Sequence, residues 1–174
     1  MILNKQKKVR LAARPLQKFL RKTQRELKIV NSEITIAFVS DEEIARWNQT
    51  YRKKKGPTDV LSFPSVAGAR FRFEGKKKFA RPLKSLGDIA MAPEILGDIA
   101  IAPETAKRRQ ILGDIAIAPE TAKRYAKKNG RTLSSEIRVL MLHGVLHLMG
   151  YDHESDRGQM NRIEQKLRRK LGIA

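Results

Sequence analysis

His143-Gly144-Val145-Leu146-His147-Leu148-Met149-Gly150-Tyr151-Asp152-His153 holds all three histidines of this 174-residue chain. The spacing is H-x-x-x-H, a glycine three residues on, and a third histidine. Residues four apart lie on one face of a helix, one above the other. His143 and His147 can therefore turn their imidazoles toward one ion. Gly150 can take the left-handed conformation that ends a helix, which would bring His153 back to the same point. Three imidazoles with a fourth position open is the layout of a catalytic rather than a structural zinc site. Histidines that merely stack on a helix would explain a pair, but not three at this spacing with none elsewhere.

The spacing also follows the metzincin pattern H-E-x-x-H-x-x-G-x-x-H. Its second position is Gly144 here, where the proteases carry a glutamate general base. The metal frame is present and the usual peptidase base is missing, so the pattern points to chemistry other than conventional zinc proteolysis. A glycine inside a helix costs ~1 kcal/mol relative to alanine. Space must be needed at Gly144, for close packing or for substrate over the metal.

The rest of the composition narrows the class. The length suits one domain with a sizeable core, residues 1–174. No run approaches ~20 apolar residues, so no transmembrane helix is expected. The start, Met1 to Lys5, turns basic and has no secretory apolar region. There is no cysteine, hence no disulfide and no thiolate metal site, and the cytoplasm is the default compartment. The formal net charge is +19. A field of one sign and this size gathers and steers polyanions. Its clusters, among them Arg52-Lys53-Lys54-Lys55 and Arg168-Arg169-Lys170, are spread along the chain.

Leu11, Leu16, Phe19, Leu20 and Leu27 among basic residues predict an amphipathic helix over 10–28, with Pro15 near its first turn. A solvated cationic face is its ordinary role, and an RNA-contacting face the alternative. Ile34 to Val39 is β-rich and reads as a strand. Ser40-Asp41-Glu42-Glu43 is a capping signal for a short helix, about 41–51, that would bury Ile44, Ala45 and Trp47. A basic turn leads to Val60-Leu61-Ser62-Phe63, a strand ended by Pro64, and residues 65–85 read as a loop or irregular hairpin.

Leu86-Gly87-Asp88-Ile89-Ala90 then recurs at Leu96 and at Leu112, and the last two copies share LGDIAIAPETAKR. Offsets of 10 and then 16 residues are not one period, which excludes a stacked solenoid and favours local duplication. Near-identical segments could compete for one sheet position. The third copy is the expected strand, because it alone runs through a helix opened by Pro119 to Gly130 and into the histidine helix. Thr132 or Ser134 would cap that helix. Ser155 and Asp156 would cap a last one, with Met160, Ile163, Leu167 and Leu171 as its apolar stripe and Gly172 as its stop.

These residues resemble the YbeY endoribonucleases, or rRNA maturation factors. HGVLHLMGYDH is similar to the signature of that family. Pro57-Thr58-Asp59-Val60-Leu61-Ser62-Phe63-Pro64 resembles its second motif, preceded by an Asn-x-x-Tyr-Arg element at Asn48, Tyr51 and Arg52. Leu-Gly-Asp-Ile resembles its third, which the family carries once. The triplication therefore makes residues 86–111 an atypical insertion. The resemblance, over about residues 30–171, implies a single α+β domain: a small mixed β-sheet flanked by helices, with the metal site at the end of a central helix. It implies zinc on His143, His147 and His153, Arg52 as the basic residue of the site, and ribosomal RNA as substrate, in rRNA maturation and ribosome quality control.

On that reading Arg52 clamps a phosphate bidentately, as a lysine could not. Asp152 orients a histidine and Asp59 is structural, so the proton acceptor stays open between metal-bound hydroxide and the RNA 2′-OH. The alternative is an RNA- or ribosome-binding factor whose metal is structural.

Overall fold

The computed structural model describes residues 1–65, 110–153 and 156–173. The expected hairpin from residue 66 onward, the first two repeat copies and Ser155 lie outside the described residues. The fold is α+β. Its elements are β1 (Ile2–Asn4), α1 (Ala13–Glu26), β2 (Ser32–Phe38), α2 (Asp41–Arg52), β3 (Val60–Pro64), β4 (Gln110–Ile117), α3 (Pro119–Lys128), α4 (Leu133–Leu148) and α5 (Gln159–Leu171). The strands form one mixed sheet in the order β1-β2-β4-β3. β1 and β4 both run parallel to β2, and β3 is antiparallel to β4.

Alternation along the two central strands divides the core. Ile34, Ile36 and Phe38 of β2 join Ile115 and Ile117 of β4 on one face, against α1, α4 and α5. Ala37 and Ala116 point the other way, with Ile44 and Trp47 of α2. The repeated Ile-Ala-Ile-Ala string is thus a period-two code, large toward α4 and small toward α2. Each fully buried isoleucine on the α4 face stabilises the fold by ~1.5–3 kcal/mol. α2 fills the space over the alanines with aromatics: Trp47 and Tyr51 meet the Phe63 ring edge-on, at 6.2 and 5.3 Å between centroids.

The third repeat copy is β4, and the strand begins at Gln110, two residues inside the stretch read as insertion. A bulge at Leu112 separates the pairs Glu33–Ile111 and Ile34–Gly113. Gly113 sits there at φ +141°, and a Cβ on it would lie 2.3 Å from the Phe63 carbonyl oxygen. The glycine of the Leu-Gly-Asp-Ile motif is therefore what lets β3 close on β4.

The helix ends follow the capping chemistry. Ser40 Oγ accepts from the Glu43 N–H at 3.2 Å, ahead of three acidic residues in the first turn of α2. Of the two candidates for α4, Thr132 is the cap, accepting from Ser135 N–H at 3.1 Å. The Asp156 carboxylate accepts from the N–H groups of Gln159 and Met160 at 2.9 and 2.7 Å and starts α5. Gly172 ends it at φ +73°. β1 was not expected from the sequence. Among the described residues no helix is long and apolar enough to cross a membrane.

Candidate metal centre

α4 is buried on nearly all sides from Glu136 to Leu148, with openings to solvent at its first turn and along its histidine face. His143 and His147 are half-buried there. The helix then closes with paired bonds, Gly150 N–H to the His147 carbonyl at 2.9 Å and Tyr151 N–H to the Leu146 carbonyl at 3.1 Å. Gly150 has φ +87°, the left-handed cap that this bonding pattern requires. The reversal carries the exposed His153 back over the other two. Ring centroids are 4.6, 5.5 and 5.3 Å apart, and one nitrogen from each histidine lies within 4.8 Å of the others. Ligands of a tetrahedral zinc at ~2.0–2.1 Å would stand ~3.3 Å apart, so small side-chain rotations suffice to seat an ion.

The donors suit a divalent transition metal. His143 Nε2 and His147 Nε2 face each other at 3.0 Å, a contact between ring nitrogens that a proton or a cation must bridge. Burial, helped by the two neighbouring imidazoles, lowers the His147 pKa to about 4. At neutral pH its ring is uncharged and can offer a lone pair.

Gly144, between the two helical histidines, faces the sheet. A Cβ there would lie 2.9 Å from both Cδ1 and Cγ2 of Ile115. Of the two reasons open for this glycine, close packing of α4 on β4 is the one observed. A glutamate at this position would be driven into the sheet.

One functional carboxylate was missed. Glu164 of α5 is 6% exposed, and its Oε2 lies 2.9 Å from His143 Nδ1. Arg168 donates to its other oxygen. Burial pushes the Glu164 pKa up, but the His143 hydrogen bond and the Arg168 charge together hold it below its ordinary value. The signal was present in the sequence: Glu164 is four residues after Met160 and three before Leu167, a carboxylate on the apolar stripe. Glu164 is the carboxylate hydrogen-bonded to His143, and the charge of half-buried Asp152 acts on His147.

Arg52 is the exposed last residue of α2, the helix whose Ile44 and Trp47 pack in the smaller core cluster. The Asn-x-x-Tyr-Arg element has a local logic. Buried Asn48 donates from Nδ2 to the Gly56 carbonyl at 2.9 Å and accepts at its own carbonyl from Lys54 N–H at 3.3 Å. Lys53 takes the left-handed conformation at φ 56°. Tyr51 anchors the helix end on Phe63, so Arg52 and three exposed lysines are displayed on a pinned turn. The backbone carbonyl of Asp59 accepts from Ala118 N–H at 2.9 Å and ties the start of β3 to the end of β4, and its carboxylate accepts from Thr58 Oγ1 at 3.2 Å.

A family profile described as Endoribonuclease YbeY matches residues 1–111 and 109–172. The chain belongs to the YbeY endoribonuclease family. The first match ends at Ile111 and the second begins just before it, so the break falls at the start of the third repeat copy. Among proteins named Endoribonuclease YbeY, that of Koribacter versatilis is 31% identical over 173 residues, spanning 99% of this chain and 86% of the relative. That of Heliobacterium modesticaldum is 37% identical over 149 residues, spanning 82% and 72%. The solution structure of TM1509 from Thermotoga maritima superposes with a TM-score of 0.54 at 22% identity, over 98% of this chain and 89% of that one, and shares the fold.

Proposed function

We propose that this chain is a metal-dependent, single-strand-specific endoribonuclease that acts in rRNA maturation, at the small-subunit rRNA 3′ end, and in ribosome quality control. It works in the cytoplasm as a single domain and holds one zinc ion on His143, His147 and His153. The observation that carries the reading is the convergence of three imidazole nitrogens within 4.8 Å at the solvent-open end of a buried helix, in a member of an endoribonuclease family.

Zinc in that position supplies a Lewis acid for a phosphoryl oxygen and acidifies water at neutral pH. The chain supplies the rest. His147, neutral because it is buried, offers a lone pair without first losing a proton. Arg52 takes two phosphate oxygens at once with its planar fork, and Lys53 to Lys55 beside it raise the local concentration of RNA. Gly144 puts α4 against the sheet and leaves no room for a peptidase base; a metal held by the three histidines would instead supply the nucleophile by acidifying its water.

The test is incubation of pure protein with single-stranded RNA, with and without added zinc, beside His143→Ala and Arg52→Ala. Cleavage that needs zinc and both side chains supports the proposal. Cleavage that survives both substitutions reports a contaminating nuclease and sinks it. RNA binding without cleavage under any metal would make the chain a binding factor.

A further inference from the structure

Glu164 stands on α5, a different element from the histidines. The rest of its stripe is apolar: Met160, Leu167 and Leu171 are buried. A buried carboxylate is costly unless it is paired and hydrogen-bonded, so on packing grounds alone this position would carry leucine or methionine. An ordinary i,i+4 pair with Arg168 does not account for it either. Such pairs contribute ~0.3–0.5 kcal/mol on exposed helix surfaces, whereas the side chains here are 8% and 24% exposed.

The geometry assigns the carboxylate a task. One oxygen faces the Arg168 guanidinium and the other lies 2.9 Å from His143 Nδ1. An ionised carboxylate can only accept hydrogen bonds. His143 Nδ1 must therefore carry the ring proton, which leaves the lone pair on Nε2. Nε2 is the nitrogen that faces His147, at 3.0 Å. With the proton on Nε2 instead, His143 could not be a ligand in this orientation.

We propose that Glu164 is the positioning residue of the metal centre. It holds His143 in the Nδ1–H tautomer, with Nε2 turned to the ion, and Arg168 anchors the other carboxylate oxygen. The last helix thereby sets the protonation pattern of a site built on the helix before it. The inference rests on the zinc reading above, but the tautomer it requires is a property of the protein without metal.

The test uses the full chain and has two readouts. In metal-free wild type at neutral pH, long-range 15N–1H NMR should show His143 with a protonated Nδ1 and a bare Nε2. Glu164→Leu fits the apolar stripe and cannot accept a hydrogen bond. It should lose that signature and weaken zinc binding ~10–100-fold, measured against a chromophoric chelator, while helix content is kept. Glu164→Gln, which can still accept, should recover part of both. A bare Nδ1 on His143 in wild type overturns the proposal whether or not the variants fold. So does a Glu164→Leu protein with unchanged tautomer and zinc affinity. If wild type takes up no zinc, the zinc reading fails and the tautomer spectra alone decide the role of Glu164.

Discussion

The two helices that carry the candidate chemistry end in different ways. α4 is enclosed along most of its length, and its histidines are held by a left-handed cap at Gly150, by the buried Glu164 of α5 and by direct seating of Gly144 on Ile115. α2 packs over the smaller core and ends in Arg52 and three lysines, all exposed. One end is preorganised by packing, as metal ligation requires. The other displays charges on long, solvent-facing side chains, which suits a flexible polyanion whose phosphates must be gathered before one is clamped. Substitutions at the α4 end should therefore disturb stability and metal together, and substitutions at the α2 end should disturb only the handling of RNA.

The largest effect expected is at the ligands. His147→Ala should reduce RNA cleavage to the level of the chelated protein and abolish zinc retention, as read by metal analysis. Arg52→Ala should come next, lowering cleavage ~10²–10³-fold, the usual loss for one charge-stabilising donor, with zinc content and melting temperature unchanged. Arg52→Lys should recover only part of it, since an ammonium cannot bind two oxygens in a fork. A zinc-depleted Arg52→Ala protein would erase the contrast between the two ends.

Gly144→Val should act purely through packing. The new side chain meets Ile115, and overpacking of this kind destabilises by ~1–3 kcal/mol, to be measured by chemical denaturation of the metal-free protein. A further effect is expected on pH dependence. Folding lowers the His147 pKa from 6.5 to about 4, so between those values the unfolded chain binds the proton more readily. Metal-free stability should fall as pH drops from 6.5 toward 4, and His147→Asn should flatten that slope.

The legible parts of the sequence were those where one physical demand dominates. The histidine spacing, the β-rich run of β2 and the Ser40 cap ahead of three acidic residues each point to one geometry. The choice of the third repeat copy was legible from its C-terminal continuation, since Pro119 and Gly130 lead straight to the histidine helix. Three features were not. β1 has three residues, too few to show a period, and exists because β2 offers it an edge. Glu164 is polar in an apolar stripe, and its purpose appears only when His143 is seen beside it. The need for glycine at 113 comes from the carbonyl of Phe63, fifty residues earlier, a contact no local reading contains.

The central claim is that three histidines hold the ion through which RNA is cut. Its most direct measurement returns zinc stepwise to chelated protein while metal content and single-stranded RNA cleavage are followed on the same sample. Cleavage should rise in proportion to bound zinc and level off at one ion per chain, and His143→Ala should show neither binding nor cleavage. Full cleavage by the chelated protein, or undiminished zinc binding by His143→Ala, would contradict it.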